Sequence, residues 1–174
     1  MRKTPALKRS NLDKICSRRR AHHNILHQGY QLPHPNLVGT WELKRWYNED
    51  ASGQRFFPFG ENVSGYISYS TDGFVFVHMS AADRPNYADA DPFTGTPEEH
   101  QAAMISHITY AGKYTQDGDV VTHHVTQASC PNWVGSKQVR QVVLGGDKLA
   151  LSAGGAKFQG QDVTAYVDWV RAKA

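Results

Sequence analysis

The sequence predicts an all-β protein: one closed, up-and-down antiparallel barrel of about eight or nine strands with a single short helix. Three observations carry this expectation. From residue 37 onward, short runs of alternating apolar and polar residues recur, separated by turn chemistry such as Thr71-Asp72-Gly73, Gln116-Asp117-Gly118 and Gly145-Gly146-Asp147. The links between successive runs are short, which favours a meander of neighbouring strands. The chain has 174 residues, enough for one core, and an open sheet of this many strands would leave two unpaired edges that closure removes.

The elements follow in order. Residues 37–47 alternate around Trp41 and Leu43, and Asp50-Ala51-Ser52-Gly53 turns the chain into a short strand, 54–57, that Pro58 and Gly60 end. Residues 65–70 and 74–79 form a hairpin about Thr71-Asp72-Gly73. In its second strand the sets Phe74, Phe76, His78 and Val75, Val77, Met79 are both largely apolar, so alternation does not choose the inward face. Residues 80–96 lack periodicity and read as a long loop. It ends in Thr96-Pro97-Glu98-Glu99, a capping box with proline in the first turn, which predicts a helix to about residue 107. Strands resume at 109–115, 119–128, 137–144, 148–152 and 162–171.

Charge divides the chain. Residues 1–34 hold eight Lys/Arg against Asp13, a net +7, whereas the remainder holds eleven basic and fifteen acidic side chains, a net −4. The first segment has nothing to bury and reads as a disordered basic tail, leaving residues 35–174 as the barrel domain. Arg18-Arg19-Arg20 also suits a transit peptide or contact with nucleic acid or anionic lipid. The acidic body argues against a nucleic-acid protein. No apolar run approaches the roughly 18 residues of a membrane helix, and no tail segment supplies a secretory h-region, so a soluble, cytoplasmic protein is expected. The histidines His22, His23, His27 and His34 lack the spacing and partners of a zinc site, and no metal or cofactor is expected. Cys16 and Cys130 form no C-x-x-C pair and read as free thiols; Cys130 as a nucleophile would need a base beside it.

Period-two alternation sorts the strands into faces. Val163, Ala165, Val167, Trp169 and Arg171 share the inward face of the last strand. In 119–128 the inward set is Val121, His123, Val125 and Gln127, with Thr122, His124 and Thr126 outside. His123 is therefore a titratable group on an apolar face: either a neutral histidine bonded to a wall residue, or a general base or ligand contact. Tyr110, Gly112 and Tyr114 share a face, with Gly112 leaving space between two phenols, and Tyr69 lies with Gly65 and Ile67. Arg140 lies with Val142 and Leu144, where a cation needs a carboxylate, a tyrosine or a bound anion.

Leu37-Val38-Gly39-Thr40-Trp41 resembles the Gly-x-Trp opening of lipocalin-type barrels. The ordered set Gly65-Tyr66-Ile67-Ser68-Tyr69, Thr122-His123-His124-Val125, Pro131-Asn132-Trp133-Val134-Gly135 and Trp169-Val170-Arg171 resembles a lipocalin-like domain family, calycin-type barrels from largely uncharacterised bacterial and fungal proteins. The likeness spans residues 37–171. It implies a lipocalin-like fold and small-molecule binding, with some related barrels acting as isomerases or cyclases in natural-product pathways. It also implies that the Trp41 indole packs beneath Arg171 as a structural closure. The candidate ligand contacts are Tyr69, Tyr110, Tyr114, His123, Trp133 and Arg140. The leading expectation is a barrel that binds a small, largely apolar molecule carrying a carboxylate, phenol or ketone. The alternative is an isomerase, cyclase or lyase of a polyketide-like pathway in which His123 moves a proton. Either reading is compatible with an oligomer.

Overall fold

Each tight turn that the sequence marks joins two antiparallel strands in the computed structural model, which describes residues 37–173. The predicted tail, with Cys16 and its four histidines, lies outside the described residues. The strands are β1 (Gly39–Glu49), β2 (Arg55–Phe56), β3 (Val63–Tyr69), β4 (Phe74–Ala81), β5 (His107–Asp117), β6 (Val120–Ala128), β7 (Lys137–Gly145), β8 (Lys148–Phe158) and β9 (Gln161–Arg171). Helix α1 (Pro97–Ile105) precedes β5, and a 3-10 turn, Pro131–Trp133, joins β6 to β7. Thr96 caps α1 as the sequence predicts: its hydroxyl accepts from the Glu99 amide while the Glu99 carboxylate accepts from the Thr96 amide.

The sheet runs β1-β3-β4-β5-β6-β7-β8-β9, and β9 pairs back onto β1. This closes an eight-stranded barrel, with the two-residue β2 added beside the end of β1. The inward side chains form one core that includes Trp41, Leu43, Ile67, Val75, Val77, Val121, Val125, Leu149, Leu151 and Trp169. Cross-strand partners settle the face of β4. Val77 stands opposite Ile67 on one side and Tyr110 on the other, both inward, so Val75, Val77 and Met79 are buried while Phe74, Phe76 and His78 face out.

One end is shut as the resemblance implies. The Arg171 guanidinium carbon lies 3.8 Å from the Trp41 ring centroid, and Arg171 Nη1 donates to the Val38 carbonyl at 2.7 Å. Trp41 Nε1 donates to the Leu37 carbonyl at 2.9 Å, which leaves the indole fully buried yet satisfied. Gly39 makes room for this stack. Its φ is +123°, and a Cβ there would lie 2.5 Å from Arg171 Nη1.

Two bulges alter the expected alternation. In β1, Leu43 faces Trp169 and Arg45 faces Asp168, so Lys44 is an extra residue, and beyond it the inward positions become Trp46 and Asn48. In β6, Val125 faces Gly112 and Gln127 faces Ala111, which makes Thr126 the extra residue. Gln127, expected inside, is consequently exposed, and Ala128 packs on the core. Gly112 serves this bulge and not the space between two phenols: a Cβ there would meet the His124 carbonyl oxygen at 1.9 Å. Strand β8 also runs further than predicted, through a register shift that takes in Gly154 and Gly155.

Candidate functional site

The barrel interior divides at mid-height. Toward the Trp41–Arg171 end side chains fill it, and toward the end carrying α1 and the 3-10 turn they leave a cavity of about 590 Å³. Its wall is mainly apolar, with Trp46 and Ile67, Val77 and Met79, Leu151 and Val167 among the contributors; Phe59, Ile105, Trp133 and Phe158 also line it. A cavity of this size accommodates a small organic molecule.

Polar groups enter from two sides. Tyr110 on β5 and Gln138 and Arg140 on β7 line one part of the wall. Asn48 on β1 and Trp169 on β9 line another, and there Asn48 Oδ1 and Trp169 Nε1 are buried without a hydrogen-bond partner. Buried polar atoms are rarely left so, and each unsatisfied one costs about 1–3 kcal/mol.

Behind Tyr110 lies a buried chain of three side chains. The Tyr110 hydroxyl is 2.8 Å from His123 Nδ1, and the Tyr69 hydroxyl is 2.8 Å from His123 Nε2. His123 is wholly shielded from solvent, and burial together with the Arg140 charge lowers its pKa to about 3, so the ring is neutral. Burial pushes the Tyr69 phenol well above its ordinary value. Burial also raises Tyr110, although the Arg140 guanidinium pulls that phenol partway back. Both phenols therefore keep their protons. Arg140 itself donates to the Val139 carbonyl at 2.9 Å and to Gln138 Oε1 at 3.1 Å, and its guanidinium also approaches the Tyr110 hydroxyl as a donor, so its partners are neutral oxygens and not a carboxylate.

Of the six candidate ligand contacts, Tyr110, Trp133 and Arg140 line the cavity. The Trp133 ring stands edge-on to Tyr110 at 5.9 Å between centroids. Tyr69 and His123 sit behind Tyr110 and do not line the cavity. Tyr114 packs edge-on against Tyr69, donates to the Ser70 carbonyl at 3.0 Å, and is raised by burial to about 12. His123 has both ring nitrogens bonded to phenols. Trp41 and Arg171 lie at the shut end, in the closure already described. Sequence reasoning missed Trp46 and Asn48, which the Lys44 bulge turns inward, and Gln138, whose side chain holds Arg140. It found Trp169 inward but not its unpartnered indole nitrogen. Cys130 is half-buried and does not line the cavity. Among the described residues no three His, Cys, Asp or Glu side chains converge as metal ligands.

A family model described as a lipocalin-like domain matches residues 38–172. The 4'-hydroxy-3'-methoxypropiophenone carrier protein of Aspergillus oryzae (strain ATCC 42149 / RIB 40) is 34% identical over 76 residues, which cover 39% of this chain and 68% of that protein. An uncharacterised protein of Bacteroides eggerthii DSM 20697, known from a crystal structure, is 15% identical; the match covers 77% of this chain and 98% of that one, with a TM-score of 0.40.

Proposed function

This chain belongs to the lipocalin-like domain family, and from that premise and its cavity we propose that it binds a small, largely apolar molecule inside the barrel. The observation that carries the reading is the mainly apolar cavity of about 590 Å³ with Asn48 Oδ1 and Trp169 Nε1 buried and unpartnered in its wall. An apolar ligand body would gain roughly 25 cal/mol for each Å² it removes from water, and its polar groups would satisfy the two orphaned atoms. The Aspergillus relative is named as a carrier of an aromatic ketone bearing a phenol, and a molecule of that class suits this wall. Tyr110, Trp133 and Arg140 are its proposed contacts from β5 to β7, with Trp46, Asn48 and Trp169 from β9 and β1.

Three of the four tryptophans line the cavity, which provides the assay. Titration with N-phenyl-1-naphthylamine should quench tryptophan fluorescence and raise probe emission, saturating in the micromolar range. Ala153→Trp places an indole in the cavity and should abolish both signals while leaving the fold intact. Equal responses from the two proteins would put the probe on the outer surface and overturn the reading.

A further inference from the structure

We propose that the buried Tyr69–His123 pair fixes the Tyr110 hydroxyl as a donor aimed into the cavity, where, beside the Arg140 guanidinium, it holds a carbonyl oxygen of the bound molecule. This rests on the binding reading above and narrows it to ketone-type ligands.

The argument is one of proton accounting. A neutral imidazole carries one N–H and one lone pair, so of two phenols bonded to its two nitrogens one donates to the ring and the other accepts from it. If Tyr110 donated to Nδ1, then Nε2–H would donate to Tyr69, and the Tyr69 proton would need an acceptor of its own. None exists among the described residues. Tyr69 is 1% exposed, its hydroxyl has His123 as its partner, and the neighbouring Tyr114 hydroxyl is directed to the Ser70 carbonyl. In the opposite polarity Tyr69 donates to Nε2, Nδ1–H donates to the Tyr110 oxygen, and the one proton left without a protein acceptor is that of Tyr110, which, unlike Tyr69, lines the cavity where a bound molecule can accept it. It cannot point at Arg140, which has no acceptor. Tyr110 lines the cavity, and that is where its proton finds room. A phenol O–H and a guanidinium side by side in a mainly apolar pocket form a preorganised site for an acceptor oxygen, in the manner of an oxyanion hole. Tyr110 is the contact residue, and Tyr69 and His123 are positioning residues that act through it.

A matched pair of probes isolates the carbonyl: 4'-hydroxy-3'-methoxypropiophenone, and 2-methoxy-4-propylphenol, in which the C=O is CH₂. Each displaces bound N-phenyl-1-naphthylamine. The wild-type protein should bind the ketone at least about tenfold more tightly than the deoxy compound. Tyr110→Phe should lower the ketone affinity to that of the deoxy compound and leave the latter unchanged. With a ¹³C-labelled carbonyl, the infrared stretch should fall in frequency on binding to the wild type and return toward the free value in Tyr110→Phe. Tyr69→Phe keeps the ring and its packing, so its thermal midpoint and its affinity for the deoxy compound should stay near wild type, while the carbonyl shift and the ketone preference diminish. An unchanged shift in Tyr69→Phe would overturn the positioning role. Equal binding of the two compounds by the wild type, or displacement by neither, would overturn carbonyl recognition. In both cases binding of the naphthylamine itself reports separately on whether the barrel interior takes up an apolar molecule.

Discussion

Burial and the nearby Arg140 charge lower the His123 pKa from 6.5 to about 3, although both ring nitrogens are hydrogen-bonded. The phenols stabilise the neutral ring as well as the charged one, so desolvation decides the outcome. The sign of the consequence follows from proton counting. Between about pH 6.5 and 3 the unfolded chain binds a proton at this residue that the native chain does not, so stability rises with pH across that window and falls as pH drops through it. The slope approaches about 1.4 kcal/mol per pH unit. His123→Gln retains an amide that both phenols can bond but cannot titrate. From pH 7 to pH 5, urea unfolding should therefore show the wild type losing roughly 2 kcal/mol more than the variant. Equal losses would mean that the native ring protonates as readily as a solvated one. A general base works best with a pKa near the operating pH; a ring held neutral down to about pH 3 is suited to orienting a phenol.

Among the elements, the closure between β1 and β9 was the most legible, and the stretches of β1 and β6 beyond their bulges were the least. Gly39, Trp41 and Arg171 stand out in the sequence as a glycine, an aromatic residue and a cation at ordered positions, and the structure brings them into one stack. The bulge residues Lys44 and Thr126 carry no such mark. Neither is glycine or proline, yet each shifts every later side chain of its strand to the other face. Simple alternation therefore does not reveal Trp46 and Asn48 as inward residues, and it puts Gln127 inside. The β4 ambiguity had another origin, since both faces are apolar and pairing with Ile67 and Tyr110 decides between them. The polar chain was legible as a set of inward residues, whereas the order of its contacts depends on distances that no alternation pattern encodes. Closure itself is testable by a double-mutant cycle. Trp41→Ala should cost roughly 3–5 kcal/mol as a fully buried truncation. Because Arg171 packs on that ring, the combined loss with Arg171→Ala should fall short of the sum by about 0.5–2 kcal/mol. Additive losses in chemical denaturation would separate the two side chains and undo the β1–β9 register.

For the whole molecule, the question is how much of the chain the barrel needs. Every side chain of the described core lies between Leu37 and Trp169, while the net +7 of residues 1–34 contrasts with the −4 of the remainder. Stability should therefore depend on a sharp boundary just before Leu37. That residue is fully buried, and its carbonyl accepts from Trp41 Nε1, while the next carbonyl, of Val38, accepts from Arg171. Removing residues 1–34 should leave the thermal midpoint within about 2 °C of the full chain, below the shift that about 1 kcal/mol produces in a domain of this size. Removing residues 1–38 deletes a buried leucine and strips both acceptors from the closure, a loss of about 2–5 kcal/mol for the side chain alone. Its midpoint should fall by more than about 5 °C. Calorimetry of the two truncations beside the full chain decides the matter: a large drop already in the shorter deletion would show that the basic segment contributes to the barrel's stability, and would move the start of the folded unit to before residue 35.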